Sequence, residues 1–179
     1  MKYIVVSDIH GSYLFFNKVI EYFNEHSCDK ILLLGDILYH GPRNDLPAGH
    51  DVKKLINLLN EYKDKIIAVR GNCDAEVDEM VLDFKIHDNN EICINNLNFF
   101  LTHGHHINPN SPLKNKENFV ILYGHSHIPD FCKIDNNYYF NPGSIAIPKG
   151  GSVHSFGLIE NNTISLIDIK GNVLIKYEV

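Results

Sequence analysis

The chain has 179 residues, 44% of them hydrophobic and 21% charged, and 16 Lys+Arg against 22 Asp+Glu leave a net charge of −6. This length fits one domain, expected to span residues 1–179 with a core of its own, and the composition excludes a disordered chain. No apolar run approaches the ~18–20 residues of a membrane span, and the acidic balance disfavours nucleic acid as a partner. Four scattered cysteines (Cys28, Cys73, Cys93, Cys132) form no C-x-x-C pair, which argues against a zinc knuckle or a disulfide framework. A reduced, cytoplasmic protein is the expectation. Eleven histidines are many for so acidic a chain, and their placement directs the rest of the reading.

In chain order, Tyr3–Val6 is a short apolar run that reads as a strand covered on both faces. Phe16, Val19, Ile20 and Phe23 follow with helical spacing, and Ser12 is placed to cap that helix. A second apolar run, Ile31–Leu34, leads to a second helical pattern in Val52, Leu55, Ile56 and Leu59, with Asp51 as its cap. Ile66–Val69, Phe99–Leu101 and Phe119–Leu122 are the next strand-like runs. Alternating strands and helices predict βαβ units in a partly parallel sheet. From Tyr138 onward the pattern becomes short β pieces: Tyr138–Phe140, Val153–Ile159, Thr163–Ile169 and Val173–Val179. Asn161-Asn162 and Gly171-Asn172 mark turns between them. This tail is expected to form a second, mostly antiparallel sheet stacked on the first.

Each apolar run ends in polar residues that a plain loop does not need. The first ends in Asp8-Ile9-His10-Gly11 and the second in Gly35-Asp36. The third leads to Gly71-Asn72-Cys73-Asp74, the fourth to His103-Gly104-His105-His106, and the fifth to Gly124-His125-Ser126-His127. Open α/β sheets bind ligands at the carboxyl ends of their strands, so these loops are expected to share one crevice. Taken singly, an Asp-x-His or a Gly-Asp is a chance tripeptide or a turn. Taken together they offer Asp8, His10, Asp36, Asn72, His103, His125 and His127, seven N and O donors for borderline or hard divalent metals. Seven exceeds what one ion takes from protein while keeping an open position, so two ions sharing a carboxylate are expected. The i, i+2 pairs Asp8/His10 and His125/His127 would leave an extended segment on one side.

The ordered set Asp8-x-His10, Gly35-Asp36, Gly71-Asn72, His103-Gly104 and Gly124-His125-Ser126-His127 resembles the signature of the calcineurin-like metallophosphoesterases. Ser7–Ser12, His40–Asn44, Val69–Asp74 and Asn141–Ser144 make it more similar still to the small bacterial phosphodiesterases of the YfcE type. The resemblance runs from near residue 1 to about residue 150. It implies an α/β fold of two stacked mixed β-sheets flanked by helices, a four-layer sandwich, with a dinuclear metal centre at one edge. By the family pattern Asp8, His10 and His127 hold one ion, Asp36 bridges, and Asn72, His103 and His125 hold the other. The implied activity is hydrolysis of small phosphodiesters by a metal-bridging hydroxide, with Asp36, Asn72, Cys73 and His103 nearest the chemistry. Mn²⁺ is the first expectation among Zn²⁺, Ni²⁺, Fe²⁺ and Mg²⁺. Relatives assemble, so a homodimer or homotetramer is implied.

One departure stands out. Many family members carry a histidine after the Gly-Asn asparagine, where it helps protonate the leaving group; this chain has Cys73, as the YfcE type does. An ordinary thiol is poorly tuned for that role, and simple packing is the favoured reading, with His106 or His40 as other donors. Arg43 and Asn44 lie just past Asp36 in a Gly-Pro loop, where Arg43 could grip phosphate in a bidentate way or simply be exposed. Asp74 is read as orienting a histidine or capping a turn, and Arg70 as part of an internal salt bridge. A phosphomonoesterase or nuclease would use the same ligands. A scaffold that lost activity, as in the retromer subunit of this fold, would show broken motifs, and here all seven ligand positions hold competent residues.

Overall fold

A computed structural model describes residues 1–179 as two stacked β-sheets with two helices on one outer face. The N-terminal half builds strand β1 (Lys2–Val6), helix α1 (Tyr13–Glu25), β2 (Lys30–Leu33), helix α2 (Val52–Glu61) and β3 (Ile66–Val69). β1, β2 and β3 pair in parallel. Ser12 and Asp51 cap the two helices as their sequence positions predict, accepting from the backbone N–H of Phe15 and Lys54. The short strand β4 (Ile86–His87) extends this sheet past β3.

The second sheet is built from β5 (Asn90–Ile94), β6 (Leu97–Leu101), β7 (Phe119–Leu122), β8 (Asp130–Ile134) and β9 (Asn137–Asn141). β6, β7 and β9 run parallel, and β5 and β8 close the edges antiparallel. The final strands are β10 (Ser155–Glu160), β11 (Thr163–Asp168) and β12 (Val173–Glu178). They do not form a sheet of their own. They add antiparallel to β1, so the first sheet has the order β12-β11-β10-β1-β2-β3-β4. The expected second sheet is therefore corrected: Phe99–Leu101, Phe119–Leu122 and Tyr138–Phe140 found it, and the tail from Val153 onward completes the first. Burial explains the choice. Ser155 through Ile159 are all buried, which a strand achieves only with neighbours on both sides and layers on both faces, and β1 offers an unpaired edge.

Alternation along β1 and β2 sorts side chains into two cores. Ile4, Val6, Ile31 and Leu33 meet Phe16, Val19, Ile20, Phe23, Leu55 and Leu59 of the helices. Val5, Leu32 and Leu34 meet Phe99, Leu101, Val120, Leu122 and Phe140 between the sheets. The outer face of the second sheet (Phe100, Ile121, Tyr123, Tyr139) is covered by Ile107 and Leu113, from a non-helical connection. Both faces of the parallel strands are thus buried, which accounts for their continuous apolar runs. No helix is long and apolar enough to cross a membrane.

Candidate metal centre

Backbone bonds stitch the loop after β1 to the loop after β2, and the loop after β6 to the loop after β7. Asp8 N–H donates to Gly35 O (3.2 Å), His10 N–H to Asp36 O (2.9 Å) and Gly124 N–H to His103 O (2.8 Å). Five of the seven expected ligands stand at left-handed backbone angles: Asp8 (φ 56°), His10 (48°), Asp36 (55°), His125 (67°) and His127 (60°). The i, i+2 pairs therefore converge by turning sharply, not by alternating along an extended segment. A non-glycine residue in that region costs energy that surrounding contacts must offset, and such strain gathers at functional sites.

Asp8, His10 and His127 form one group, their ligand atoms all within 4.8 Å of one another. Asp8 Oδ2 accepts from Ser7 Oγ–H (2.6 Å) and from His125 N–H (3.0 Å). Asp8 Oδ1 is buried and has no hydrogen-bond partner. It faces His127 Nε2 at 3.3 Å and His10 Nε2 at 3.7 Å. His10 Nδ1–H donates to Tyr39 O (2.8 Å) and His127 Nδ1–H to Ile147 O (2.6 Å). Those bonds leave a lone pair on each Nε2, and the two Nε2 atoms lie 3.2 Å apart. Two lone pairs and a carboxylate oxygen facing one another without a donor is a costly arrangement that a cation relieves. The donors thus fit a divalent metal.

Asp8 also belongs to a second group with Asp36 and His103. Asp36 Oδ2 lies 3.8 Å from His10 Nε2 and 3.4 Å from His103 Nε2, between the two groups. Its Oδ1 accepts from Cys73 N–H (2.8 Å). His103 Nδ1–H donates to Leu34 O (2.7 Å), and its Nε2 sits 3.0 Å from Asn72 Oδ1. Burial disfavours a charged His103, yet the hydrogen bond to Asp36 and the charges of Asp8 and Asp36 lift its pKa to about 9. Burial would likewise raise Asp36, but His103 and the Cys73 N–H hold its carboxyl well below the usual range. Without metal, the raised pKa favours a protonated His103 near pH 7. Burial lowers His125 and His127, with the charge of His103 adding to it at His125, which keeps both neutral near pH 7. Asn72 is exposed and His125 half-buried, its ring edge-on to His103 at 5.2 Å between centroids. The nitrogens of His125 are not among the atoms that converge within 4.8 Å.

The surrounding residues fix these loops. Asp74 accepts the backbone N–H groups of Asp36 (2.8 Å), Ile37 (2.7 Å) and Gly71 (2.7 Å). It thus ties the β2 loop to the β3 loop and does not orient a histidine. Ser144 Oγ–H donates to Asp8 O (2.8 Å), and Asn141 Nδ2–H to Gly124 O (2.9 Å). Gly71 and Gly124 are required by close approach. A Cβ on Gly71 would stand 2.1 Å from Asp36 Oδ1, and one on Gly124 1.8 Å from Ser7 Oγ.

A cavity of about 940 Å³ opens over the centre, lined by Asp36, Asn72, Cys73, His125 and His127 together with Arg43, Asn44 and Lys149. Arg43 and Asn44 thus face the same space as candidate metal ligands. Asn44 also donates to His40 O (2.8 Å). Burial and the neighbouring Asp36 carboxylate push the Cys73 thiol up to about 12. His106 lines a separate cavity with Arg70 and Asp88, and His40 does not line the large cavity. Arg70 pairs with Glu79 and with Asp88 (3.7 Å), the internal salt bridge its strand-end position predicts. Sequence reasoning missed Lys149, Ser7 and the positioning role of Ser144. The Asn141–Ser144 stretch was a signal for the last.

The calcineurin-like phosphoesterase superfamily domain matches residues 1–163. The chain is 42% identical over 176 residues to phosphodiesterase YfcE of Escherichia coli K12, covering 98% of this chain and 96% of that protein. It is 30% identical over 151 residues to a phosphodiesterase of Methanocaldococcus jannaschii, covering 80% and 83%. The solved structure of Escherichia coli YfcE, described as a phosphoesterase, superposes with a TM-score of 0.95 at 40% identity over 99% of both chains. Vps29 of Entamoeba histolytica, solved with Zn²⁺, shares the fold alone, with a TM-score of 0.65 at 19% identity over 99% of both chains. With the family match spanning most of the chain and the YfcE likeness nearly all of it, the chain belongs to the calcineurin-like phosphoesterase superfamily and is an enzyme of that superfamily.

Proposed function

We propose that the protein hydrolyses small phosphodiesters at a dinuclear metal centre held by Asp8, His10 and His127 on one side and Asn72, His103 and His125 on the other. Asp36 is the shared ligand. The observation that carries this reading is the position of Asp36 Oδ2, within 3.8 Å of ring nitrogens from both groups, beside the unpartnered Asp8 Oδ1. The diesterase activity named for YfcE and for the archaeal relative supports it. Mn²⁺ is the metal proposed first, in a set of N/O donors that accepts several divalent ions.

When bound, two divalent ions supply Lewis acidity, lowering the pKa of the attacking water and neutralising charge that builds on the phosphoryl oxygens. The chain's own groups do the rest. The carbonyls of Tyr39, Leu34 and Ile147 hold three imidazoles in the tautomer that presents Nε2. Asp74 holds the turn that carries Asp36. Asn72 contributes a neutral oxygen, so the centre keeps net positive charge toward an anionic diester. Arg43 and Asn44 line the cavity that receives it.

The test is hydrolysis of bis-p-nitrophenyl phosphate by metal-stripped protein before and after Mn²⁺, with the monoester p-nitrophenyl phosphate alongside. The diester rate is expected to appear with metal and exceed the monoester rate. In Asp36→Asn it is expected to fall about 10³-fold, the scale of losing a preorganised charge-stabilising group. A faster monoester rate would instead make the protein a phosphomonoesterase.

A further inference from the structure

The large cavity holds more positive charge than one phosphodiester needs. A diester carries a single negative charge, which the metal wall of the cavity would meet. Arg43 and Lys149 also line the cavity, and neither has a carboxylate within 4.0 Å. The acidic groups on the same walls are already committed. Asp36 faces His103 and the Cys73 N–H, and Asp74 accepts three backbone N–H groups. In a chain of net charge −6, two unpaired cations in one polar cavity stand out. Lys149 is also fixed at its backbone. Its N–H donates to His127 O (3.1 Å), and its carbonyl accepts from Ser152 Oγ–H (2.7 Å) and Ser152 N–H (3.1 Å). The ammonium therefore leaves a set point directly beside a ligand-bearing loop.

A second cavity, of about 480 Å³, shares His125 and Ser126 with the first. Its walls include Asn108, Asn110 and Asp130 and contain no Lys or Arg. The two cavities beside His125 are thus unequal in charge, and a diester has two arms.

We propose that Lys149 and Arg43 bind a second phosphate on one arm of the substrate, so that the enzyme selects phosphodiesters carrying a further phosphomonoester over those with two neutral arms. The proposal rests on the diesterase reading above. An arm bearing phosphate enters the large cavity, and the neutral leaving arm lies toward the cavity without cations. The volume of about 940 Å³ is enough for a nucleoside-sized arm with its phosphate.

The test compares the p-nitrophenyl diester of thymidine 5′-phosphate with the same compound phosphorylated at the 3′-oxygen, using the Mn²⁺-loaded enzyme. The phosphorylated diester is expected to show a KM at least ten-fold lower at low salt, the advantage shrinking as salt rises. In Lys149→Gln its KM is expected to rise ten-fold or more with little change in kcat, against two- to three-fold for the plain diester. Lys149→Arg is expected to restore most of the difference. Equal KM values for the two diesters in the unaltered enzyme would overturn the proposal, as would a Lys149→Gln effect of the same size on both. Hydrolysis of neither diester, with rapid hydrolysis of a monoester, would instead overturn the diesterase reading beneath it.

Discussion

The two halves of the proposed centre are built differently. Asp8, His10 and His127 are sealed from solvent, at 0%, 1% and 3% exposure, and both rings are locked by backbone carbonyls. The other half mixes a sealed, locked His103 with an exposed Asn72 and a half-buried His125. The difference teaches a division of labour. The first half is shaped before any ion arrives, so its ion is expected to bind tightly and stay. The second half offers exposed Asn72 and half-buried His125 to the cavity, which His127 alone borders from the first half, so there a ligand can shift and a substrate oxygen can enter.

The largest expected effect separates these halves. His10→Ala removes a locked ligand from the sealed half and leaves Asp8 Oδ1 without a cation, so metal retention and diesterase rate are expected to fall about 10³-fold or more. His125→Ala is expected to cost about 10–100-fold in affinity for the second ion while the first remains bound. Metal content after dialysis and Mn²⁺ titration of the rate read both; equal losses in the two variants would break the distinction.

Next in size is Gly71→Ala. Its methyl would stand 2.1 Å from Asp36 Oδ1 and 2.3 Å from the Asp36 nitrogen. Overpacking of this kind costs about 1–3 kcal/mol, and displacing the shared ligand is expected to lower the rate about 10²-fold. Urea denaturation and steady-state kinetics give the two numbers.

The pH dependence of the metal-free protein sharpens the account of the open half. The Asp36 carboxylate lifts His103 against burial from 6.5 to about 9. Its stabilisation is whole below about pH 6.5 and is lost as pH rises through 9. Asp36, held below its ordinary 3.8, contributes above that pH and loses as pH falls further. Metal-free stability measured in urea is expected to fall by about 2–3 kcal/mol between pH 6.5 and 10. Saturating Mn²⁺ is expected to remove most of that slope, because the ion replaces the His103 proton.

The smallest effect is expected at Cys73. A thiol pushed up to about 12 remains protonated at neutral pH and is a weak acid toward a leaving group. A true general acid contributes about 10²–10⁴-fold, so Cys73→Ser is expected to lower kcat less than about ten-fold. Reaction of Cys73 with iodoacetamide at pH 8 is expected to be slow. Fast labelling together with a large kcat loss would assign Cys73 a proton-transfer role.

Much of this was legible in the sequence because parallel strands buried on both faces write continuous apolar runs, each ending at the ligand edge. Tyr3–Val6, Ile31–Leu34 and Ile66–Val69 declared β1, β2 and β3, and Ser12 and Asp51 declared the helix starts. Strands β4, β5 and β8 were not legible. β4 is two residues long, and β5 and β8 are edge strands with mixed polar faces. Periodicity names a strand but not its neighbour, which is why Val153–Ile159, Thr163–Ile169 and Val173–Val179 were assigned to the wrong sheet while Tyr138–Phe140 was placed correctly. At the centre, residue type and order marked the donors. The left-handed turns at Asp8, His10, Asp36, His125 and His127 were hidden because few non-glycine residues adopt such angles, and an Asp or His that does so carries no mark in the sequence. Lys149 was hidden because a lone lysine in a Pro-Lys-Gly-Gly loop carries no pattern.

The central claim is a sealed half and an open half joined by Asp36, both filled for catalysis. The most direct measurement is a stepwise Mn²⁺ titration of metal-stripped protein, following bound Mn²⁺ by electron paramagnetic resonance and bis-p-nitrophenyl phosphate hydrolysis in the same samples. The account predicts that the first equivalent binds tightly with little activity, and that activity rises with the second as a spin-coupled pair forms. Full activity at one equivalent, with no coupled signal at two, would contradict it.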